Sequence, residues 1–289
     1  MPEFDLSVDI CGVTWKNPIA TASGTFNFRE SSRYYRVSDL GCITTKGVSR
    51  EPWGGNETPK IAETRSGMLN SIGLENRGVE MYIDHDLKPL KEAGATVMAN
   101  VAGHTIVEYC SVAERLAKTA VDLLEINISC PNVKEGGIAF GTDKTAAAEL
   151  VTRVKKVSGA KPVIVKLSPN VTDITEIALA VERAGADGLS LINTLKGMRI
   201  DLNTGKPVLA NGSGGLSGPA IHPVAVWMVY ETARVCRIPI IGMGGVMTGA
   251  DALELMLAGA KAVAVGTAAL IDPVAPTRIL GELAGLLRK

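Results

Sequence analysis

Short runs of apolar residues rich in Val and Ile alternate with longer amphipathic stretches along the chain. Eight such runs are present, at 18–22, 42–45, 96–99, 123–127, 162–167, 188–192, 238–242 and 262–266. Their length and β-branched content predict buried strands. Between them, apolar residues recur at helical spacing over 108–119, 146–157, 174–184, 224–235 and 250–258. Gly94, Gly185 and Gly259 follow helical stretches, as expected just past a helix C-terminus.

A strand followed by a helix, repeated eight times, is typical of a closed parallel barrel. The sequence therefore predicts an α/β fold, a (β/α)8 TIM barrel that forms a single domain over residues 1–289. A short hairpin at 6–15 is expected to cap the barrel floor, and the Gly/Pro-rich insertion at 47–78, after the second strand, is expected to form a wall of the active site. The alternative is a doubly wound open sheet, which the absence of G-x-G-x-x-G after the first strand disfavours.

Composition narrows the class of protein without naming a function. Lys plus Arg equals Asp plus Glu, 30 against 30, so the charge gives no sign of affinity for nucleic acid or membrane surfaces. The N-terminal residues do not have the pattern of a signal peptide, and the longest apolar stretch, 262–271, is too short to span a bilayer. We expect a soluble, cytoplasmic protein. Five widely spaced Cys and three scattered His predict neither a disulfide framework nor a metal site.

Polar residues stand where each predicted strand ends, which is the edge where barrel enzymes carry their chemistry. These positions hold mostly Lys, Asn, Ser, Thr, Cys and Gly, among them Ser23, Lys46, Asn100, Asn127, Lys166, Asn193 and Thr194. Amides offer both a donor and an acceptor. Two Lys with several Asn favour a planar, amide-rich, anionic ligand.

The last two strands end in glycine-rich sequence, at 242–245 and 266–267. Small residues there let backbone N–H groups approach a phosphate. Glycine could instead serve only to permit tight turns. Two such ends on adjacent closing strands favour the phosphate.

Lys166 follows a buried strand and is expected to point into the barrel mouth, where an ammonium is costly unless it meets an anion. It could form a Schiff base, as in an aldolase, pair with an anionic cofactor, or pair with a structural acid. Lys46 has the same three alternatives.

Cys130 follows a strand end and opens the polar segment PNVKEGG. That position suits a general base or nucleophile. The other four cysteines are interpreted as inert packing residues.

The segment NISCPNVKEGGIAFG resembles the catalytic loop of class 1 dihydroorotate dehydrogenases, and specifically of class 1B. The resemblance extends over nearly the whole chain, through GMLNSIGLENRG, VKLSPNV, GADGLSLINTLKGMRID and IPIIGMGGV. It implies oxidation of (S)-dihydroorotate to orotate in pyrimidine biosynthesis, with FMN across the barrel mouth. Cys130 would remove a proton from C5 of dihydroorotate while hydride leaves C6.

The resemblance also implies roles for individual residues. The cofactor-binding set is Ser23, Lys46, Gly47, Asn100, Asn127, Lys166 and Ile192 around the flavin, with Gly218, Gly244, Gly245, Gly266 and Thr267 around its phosphate. The substrate-binding set is Lys46, Asn70, Ser71, Ile72, Gly73, Leu74, Asn127, Asn193 and Thr194.

Class 1B relatives work with a second chain, so the resemblance implies a homodimer core joined to electron-transfer subunits in a heterotetramer of two chains of each kind. FAD and an iron–sulfur cluster would lie on the partner, which passes electrons to NAD. Three alternatives stay open: a fumarate-dependent homodimer of class 1A, a Schiff-base aldolase using Lys166, and a phosphate-binding barrel without activity of its own.

Overall fold

The computed structural model describes residues 5–129 and 140–288. Its central sheet is parallel and has eight strands: β3 (Ile19–Thr21), β4 (Ile43–Thr44), β7 (Val97–Val101), β8 (Leu123–Asn127), β9 (Val163–Lys166), β10 (Gly188–Leu191), β13 (Ile240–Met243) and β14 (Ala262–Val265). Neighbouring strands follow the order β3-β14-β13-β10-β9-β8-β7-β4. A parallel bridge between Ala20 and Cys42 joins the first and last strands of this order. The predicted eight-stranded barrel is confirmed, and the open doubly wound sheet is wrong.

Helices surround the sheet between successive strands. They are α1 (Phe28–Ser31), α2 (Val79–Tyr82), α3 (Lys88–Glu92), α4 (Ile106–Ala117), α5 (Lys144–Val157), α6 (Ile174–Arg183), α7 (His222–Val235), α8 (Gly249–Leu257), α9 (Thr267–Ile271) and α10 (Ala275–Leu287). A π-helical turn, Ile83–Leu87, joins α2 to α3, and short 3₁₀ turns occupy Val37–Asp39 and Pro219–Ile221.

Helix α5 illustrates how the sequence forms the outer layer. Asp143 caps its N-terminus by accepting hydrogen bonds from the backbone N–H groups of Thr145 and Ala146. Its buried residues, Ala147, Leu150, Val151 and Val154, follow at spacings of three and four, so one apolar stripe faces the barrel.

The barrel interior is filled by the inward side chains of the strands. They form one apolar cluster with Met98, Leu123, Ile164 and Ile241 among its members. Ile10 and Trp15, from the hairpin strands β1 (Val8–Ile10) and β2 (Val13–Trp15), belong to the same cluster and are fully buried. The predicted N-terminal hairpin is therefore present, and it packs against the barrel interior.

The insertion after β4 contains more structure than the predicted wall. It contributes the strands β5 (Ile61–Thr64) and β6 (Gly67–Asn70), which form one hairpin. A second hairpin is formed by β11 (Leu195–Gly197) and β12 (Gly214–Ser217). Strand β6 pairs with β12, so the four strands form an antiparallel sheet in the order β11-β12-β6-β5. Ala62, Leu69 and Leu209 form its small core. This sheet was missed because its two hairpin halves lie far apart in the sequence.

Within the described segments, none of the helices combines the length and apolar character needed to cross a membrane.

Candidate active site

Because the strands are parallel, their carboxyl ends meet at one mouth of the barrel. On one side of that mouth lie Ser23, Asn100, Asn127 and Lys166, which we call the polar rim. The strand register places Asn127 beside Lys166 across β8 and β9. The predicted convergence of these side chains is therefore observed.

Lys166 is the buried cation of the polar rim. Only 4% of its surface is exposed, and its Nζ donates to Ser23 Oγ at 3.0 Å. Within the described ranges, Lys166 forms no ion pair with a carboxylate. A buried ammonium without a counter-charge is costly, so this position is suited to an anionic ligand.

Two buried amides accompany it. Asn127 Nδ2 lies 3.5 Å from Asn100 Oδ1, and Asn127 Oδ1 accepts from the backbone N–H of Ser129 at 3.2 Å. Gly47 lies directly beside them, since a Cβ added there would be 3.1 Å from Asn100 Oδ1. A side chain at position 47 would therefore press against the Asn100 amide.

Beneath the amides lies a carboxylate that sequence reasoning missed. Glu125 is fully buried and accepts hydrogen bonds from Asn100 Nδ2 and Ser190 Oγ. The signal was available, because a single acid in the otherwise apolar run LLEIN is unusual for a buried strand.

The opposite side of the mouth is formed by backbone. Gly218, Gly244, Gly245, Gly266 and Thr267, which we call the glycine cradle, come together at the ends of β12, β13 and β14. Gly244 and Gly245 have positive φ values of 130° and 68°. A Cβ on Gly244 would lie 2.7 Å from Ala225 Cβ, and one on Gly245 would lie 2.7 Å from His222 Cβ.

The cradle differs from a set of ordinary tight turns because its glycines also approach one another. A Cβ on Gly245 would lie 2.8 Å from the carbonyl oxygen of Gly218, and one on Gly218 would lie 2.7 Å from Gly67 Cα. Backbone that carries no side chains and turns with positive φ is suited to a phosphate group. Gly266 is less constrained, because a Cβ added there would lie 3.4 Å from its nearest neighbour, Ala22 Cβ.

Side chains behind the cradle were also missed from the sequence. His222 Nδ1 lies 2.8 Å from the carbonyl oxygen of Gly244, and its Nε2 lies 3.2 Å from Glu254 Oε2. Thr267 Oγ1 donates to Ser217 Oγ at 2.8 Å, which ties the antiparallel sheet to the cradle. These contacts join distant segments, so no local pattern signals them.

The residues predicted to bind substrate form a wall over the mouth. Ser71 is buried, and Asn56 Nδ2 donates to its Oγ at 2.8 Å. Gly73 and Leu74 both have positive φ, and a Leu74 methyl would lie 3.2 Å from a Cβ on Gly47. Residues 70–74, including Ile72, therefore reach from the antiparallel sheet to the barrel rim.

Other predicted residues complete this wall. Asn70 Nδ2 donates to the carbonyl oxygen of Gly215 at 3.4 Å. Asn193 Oδ1 accepts from the backbone N–H of Thr194 at 2.8 Å. Ile192 is buried, and its Cγ1 would lie 3.3 Å from a Cβ on Gly244, so it separates the polar rim from the glycine cradle.

Lys46 differs from Lys166 because it is exposed. The Lys60 ammonium, 2.7 Å from Glu75 Oε2, lowers the pKa of Glu75, and Lys46 contributes to the same shift. Lys46 therefore lies close to the wall, and its side chain is exposed to solvent.

Cys130 lies outside the described residues. Ser129, the last described residue before it, donates from Oγ to the carbonyl oxygen of Lys166 at 2.7 Å. Burial raises the pKa of Cys11 and of Cys236 to about 12, which agrees with their interpretation as inert packing residues. Within residues 5–129 and 140–288, no group of three metal-ligating side chains is found.

A parallel barrel whose strand ends carry a buried cation, buried amides and glycine-lined turns defines a class: the (β/α)8 barrels that have their functional site at the carboxyl ends of the strands. The family model for dihydroorotate dehydrogenase matches residues 5–287. The chain belongs to the dihydroorotate dehydrogenase family.

Individual relatives cover nearly the full chain. One from Lachnoclostridium phytofermentans is 55% identical over 287 residues, which is 99% of this chain and 95% of the relative. One from Alkaliphilus metalliredigens is 52% identical over 290 residues, which is 100% of this chain and 96% of the relative. Both are named dihydroorotate dehydrogenase B (NAD(+)), catalytic subunit.

Proposed function

We propose that this chain is the catalytic subunit of an NAD-linked dihydroorotate dehydrogenase and oxidises (S)-dihydroorotate to orotate in pyrimidine biosynthesis. The observation that carries the proposal is the buried Lys166. Among the described residues its ammonium donates to Ser23 Oγ and forms no ion pair, and it faces the same mouth as the glycine cradle. Family membership supports the choice of reaction.

FMN is the cofactor that fits both halves of the mouth. Its phosphate would be held by the glycine cradle, where a Cβ would fill the available space. Its ring would lie against Ser23, Lys46, Gly47, Asn100, Asn127, Lys166 and Ile192. When bound, FMN supplies the acceptor for the hydride that leaves C6 of dihydroorotate.

Lys166 and the amides prepare the mouth for an anionic ring. The Lys166 ammonium places positive charge in a site that excludes most water, where electrostatic stabilisation is strong. Asn100 and Asn127 present fixed hydrogen-bonding groups, which orient a ring rich in carbonyl and N–H groups.

The wall would hold the substrate over the polar rim. Asn70, Ser71, Ile72, Gly73 and Leu74 form one side, and Asn193 with Thr194 forms the other. Lys46 would bind both the substrate and the cofactor, and its exposed position lets it meet an anion that enters from solvent.

Cys130 would act as the general base. It would remove the proton on C5 as the C6–H bond breaks, so that the ring gains its C5=C6 double bond and the thiol carries the released proton. The resemblance of the segment 127–141 to the catalytic loop of the family, together with membership of that family, supports this assignment.

The relatives' name implies a partner chain. We propose a homodimer of this chain joined to two electron-transfer subunits that carry FAD and an iron–sulfur cluster and reduce NAD. The test is an acceptor assay of the purified chain with and without its partner: NAD should serve only when the partner is added, and turnover with fumarate alone would instead indicate a class 1A enzyme.

The primary test is the visible spectrum of the purified protein under anaerobic conditions, before and after addition of dihydroorotate. A yellow protein that bleaches while one equivalent of orotate forms supports the proposal. A colourless protein that binds no added FMN, and that borohydride traps covalently with a substrate, would contradict it and indicate a Schiff-base aldolase.

A further inference from the structure

Glu125 lies at the centre of β8 and is completely buried. Side chains alternate along a strand, so Glu125 points to the same side as Leu123 and Asn127. Leu123 belongs to the apolar cluster of the barrel interior. Glu125 is therefore an acid inside the barrel, one layer below the polar rim.

Both carboxylate oxygens of Glu125 are engaged by buried donors. Asn100 Nδ2 donates to Oε2 at 2.5 Å, and Ser190 Oγ donates to Oε1 at 2.7 Å. Asn100 and Ser190 are themselves fully buried. In both contacts the Glu125 oxygen is the acceptor and the neighbouring side chain is the donor.

This restriction decides which way the Asn100 amide faces. If the amide rotated by half a turn, its Oδ1 would confront Glu125 Oε2, and two acceptors would meet in a buried site. Nδ2 must therefore point down, toward the carboxylate, and Oδ1 must point up, toward the mouth.

The orientation of the Asn100 amide in turn sets the orientation of the Asn127 amide. Asn100 Oδ1 faces Asn127 Nδ2 at 3.5 Å, which directs Asn127 Oδ1 to the backbone N–H of Ser129. The series Ser190, Glu125, Asn100, Asn127 and Ser129 thus ends at the residue that precedes Cys130.

We propose that Glu125 is a positioning residue that fixes the donor and acceptor pattern of Asn100 and Asn127 toward the bound flavin. The inference rests on the proposed function. The same hydrogen bonds would tune the electronics of the ring, so we also assign Glu125 an influence on the midpoint potential of the flavin.

The test compares three variants of the full chain. Glu125→Leu removes the acceptor, and Glu125→Gln keeps the shape but replaces one acceptor oxygen with an amide nitrogen. Ser158→Ala, the control, removes a buried hydroxyl at the C-terminal end of α5, outside the series that runs from Ser190 to Ser129. The FMN dissociation constant is measured by fluorescence titration of the apoprotein, and the midpoint potential is measured on the reconstituted protein. Thermal unfolding of each apoprotein reports on folding.

We expect Glu125→Leu to raise the dissociation constant for FMN about tenfold, because a freed amide loses an oriented hydrogen bond to the ligand. Glu125→Gln should give a smaller rise, since its amide can bind Asn100 in either orientation. Ser158→Ala should stay within about twofold of wild type. The midpoint potential should shift in Glu125→Gln and stay unchanged in Ser158→Ala, a difference that a purely structural role would not produce.

Should Glu125→Leu fail to fold, Glu125→Gln carries the test alone through its potential and its dissociation constant. Wild-type affinity and wild-type potential in Glu125→Gln would overturn the inference while leaving the proposed function intact. Failure of the wild-type apoprotein to bind FMN would overturn both.

Discussion

The two sides of the barrel mouth are built in opposite ways. At three glycines of the cradle, Gly218, Gly244 and Gly245, an added Cβ would collide with a neighbour, whereas the polar rim is formed by side chains held by hydrogen bonds. The cradle therefore depends on the space left free, and the rim depends on the identity and orientation of functional groups. We expect changes in the cradle to affect cofactor retention and changes in the rim to affect chemistry.

The largest effect is expected from Cys130→Ala. Flavin reduction by dihydroorotate should slow by about 10²–10⁴-fold, since general-base catalysis is worth that much, while FMN stays bound. Cys130→Ser should also be impaired near neutral pH because a hydroxyl is a poorer base. Anaerobic stopped-flow absorbance measures the rate. Cys110→Ala, on α4, is the matched control, and a wild-type rate in Cys130→Ala would refute the assignment.

Gly245→Ala tests the cradle, and here we expect weaker FMN binding, whereas Cys130→Ala should slow the reaction with FMN still bound. The positive φ of 68° and a Cβ 2.7 Å from His222 Cβ should together destabilise the protein by about 1–3 kcal/mol and weaken FMN binding strongly. Thermal unfolding and FMN titration measure the two effects.

Gly281→Ala serves as the control, because Gly281 lies inside α10 with open space around it. It should stabilise the chain by about 0.5–1 kcal/mol and leave FMN binding unchanged. Equal FMN affinity in both variants would show that the cradle does not hold the phosphate.

Lys166→Met separates stability from binding within the polar rim. Removing a buried ammonium that has no carboxylate partner should leave the apoprotein as stable as wild type or more so, while FMN binds about tenfold more weakly. Calorimetry of the apoprotein measures its stability, and fluorescence titration measures the dissociation constant for FMN. A destabilised apoprotein with normal FMN affinity would indicate a structural lysine instead.

The smallest effect is expected at the contact between the antiparallel sheet and the cradle. Thr267→Val removes the 2.8 Å hydrogen bond to Ser217 and should cost about 0.5–1.5 kcal/mol. Combining it with Ser217→Ala in a double-mutant cycle gives the coupling energy. Strictly additive effects would mean that this hydroxyl pair does not join the two elements.

The same contrast explains how much the sequence could predict. The eight barrel strands and five of the helices follow from periodicity alone, and the cradle glycines stand out because two glycine-rich segments end adjacent strands. Ser23, Asn100, Asn127 and Lys166 could be placed at one mouth because parallel strands share a carboxyl edge.

The parts that escaped prediction depend on distant segments. Strands β6 and β12 lie in different loops, so their pairing has no local signal. The contacts of His222 with Gly244 and of Ser190 with Glu125 join different elements of the barrel. Orientation of an amide is likewise set by its partners, which the residue type alone does not specify.

The most direct test is a crystal structure of the chain reconstituted with FMN. The phosphate should lie within hydrogen-bond distance of backbone N–H groups in the glycine cradle, and the ring should lie against Asn100, Asn127 and Lys166. A flavin bound elsewhere, or one whose phosphate lies at the polar rim, would contradict the division of the mouth described above.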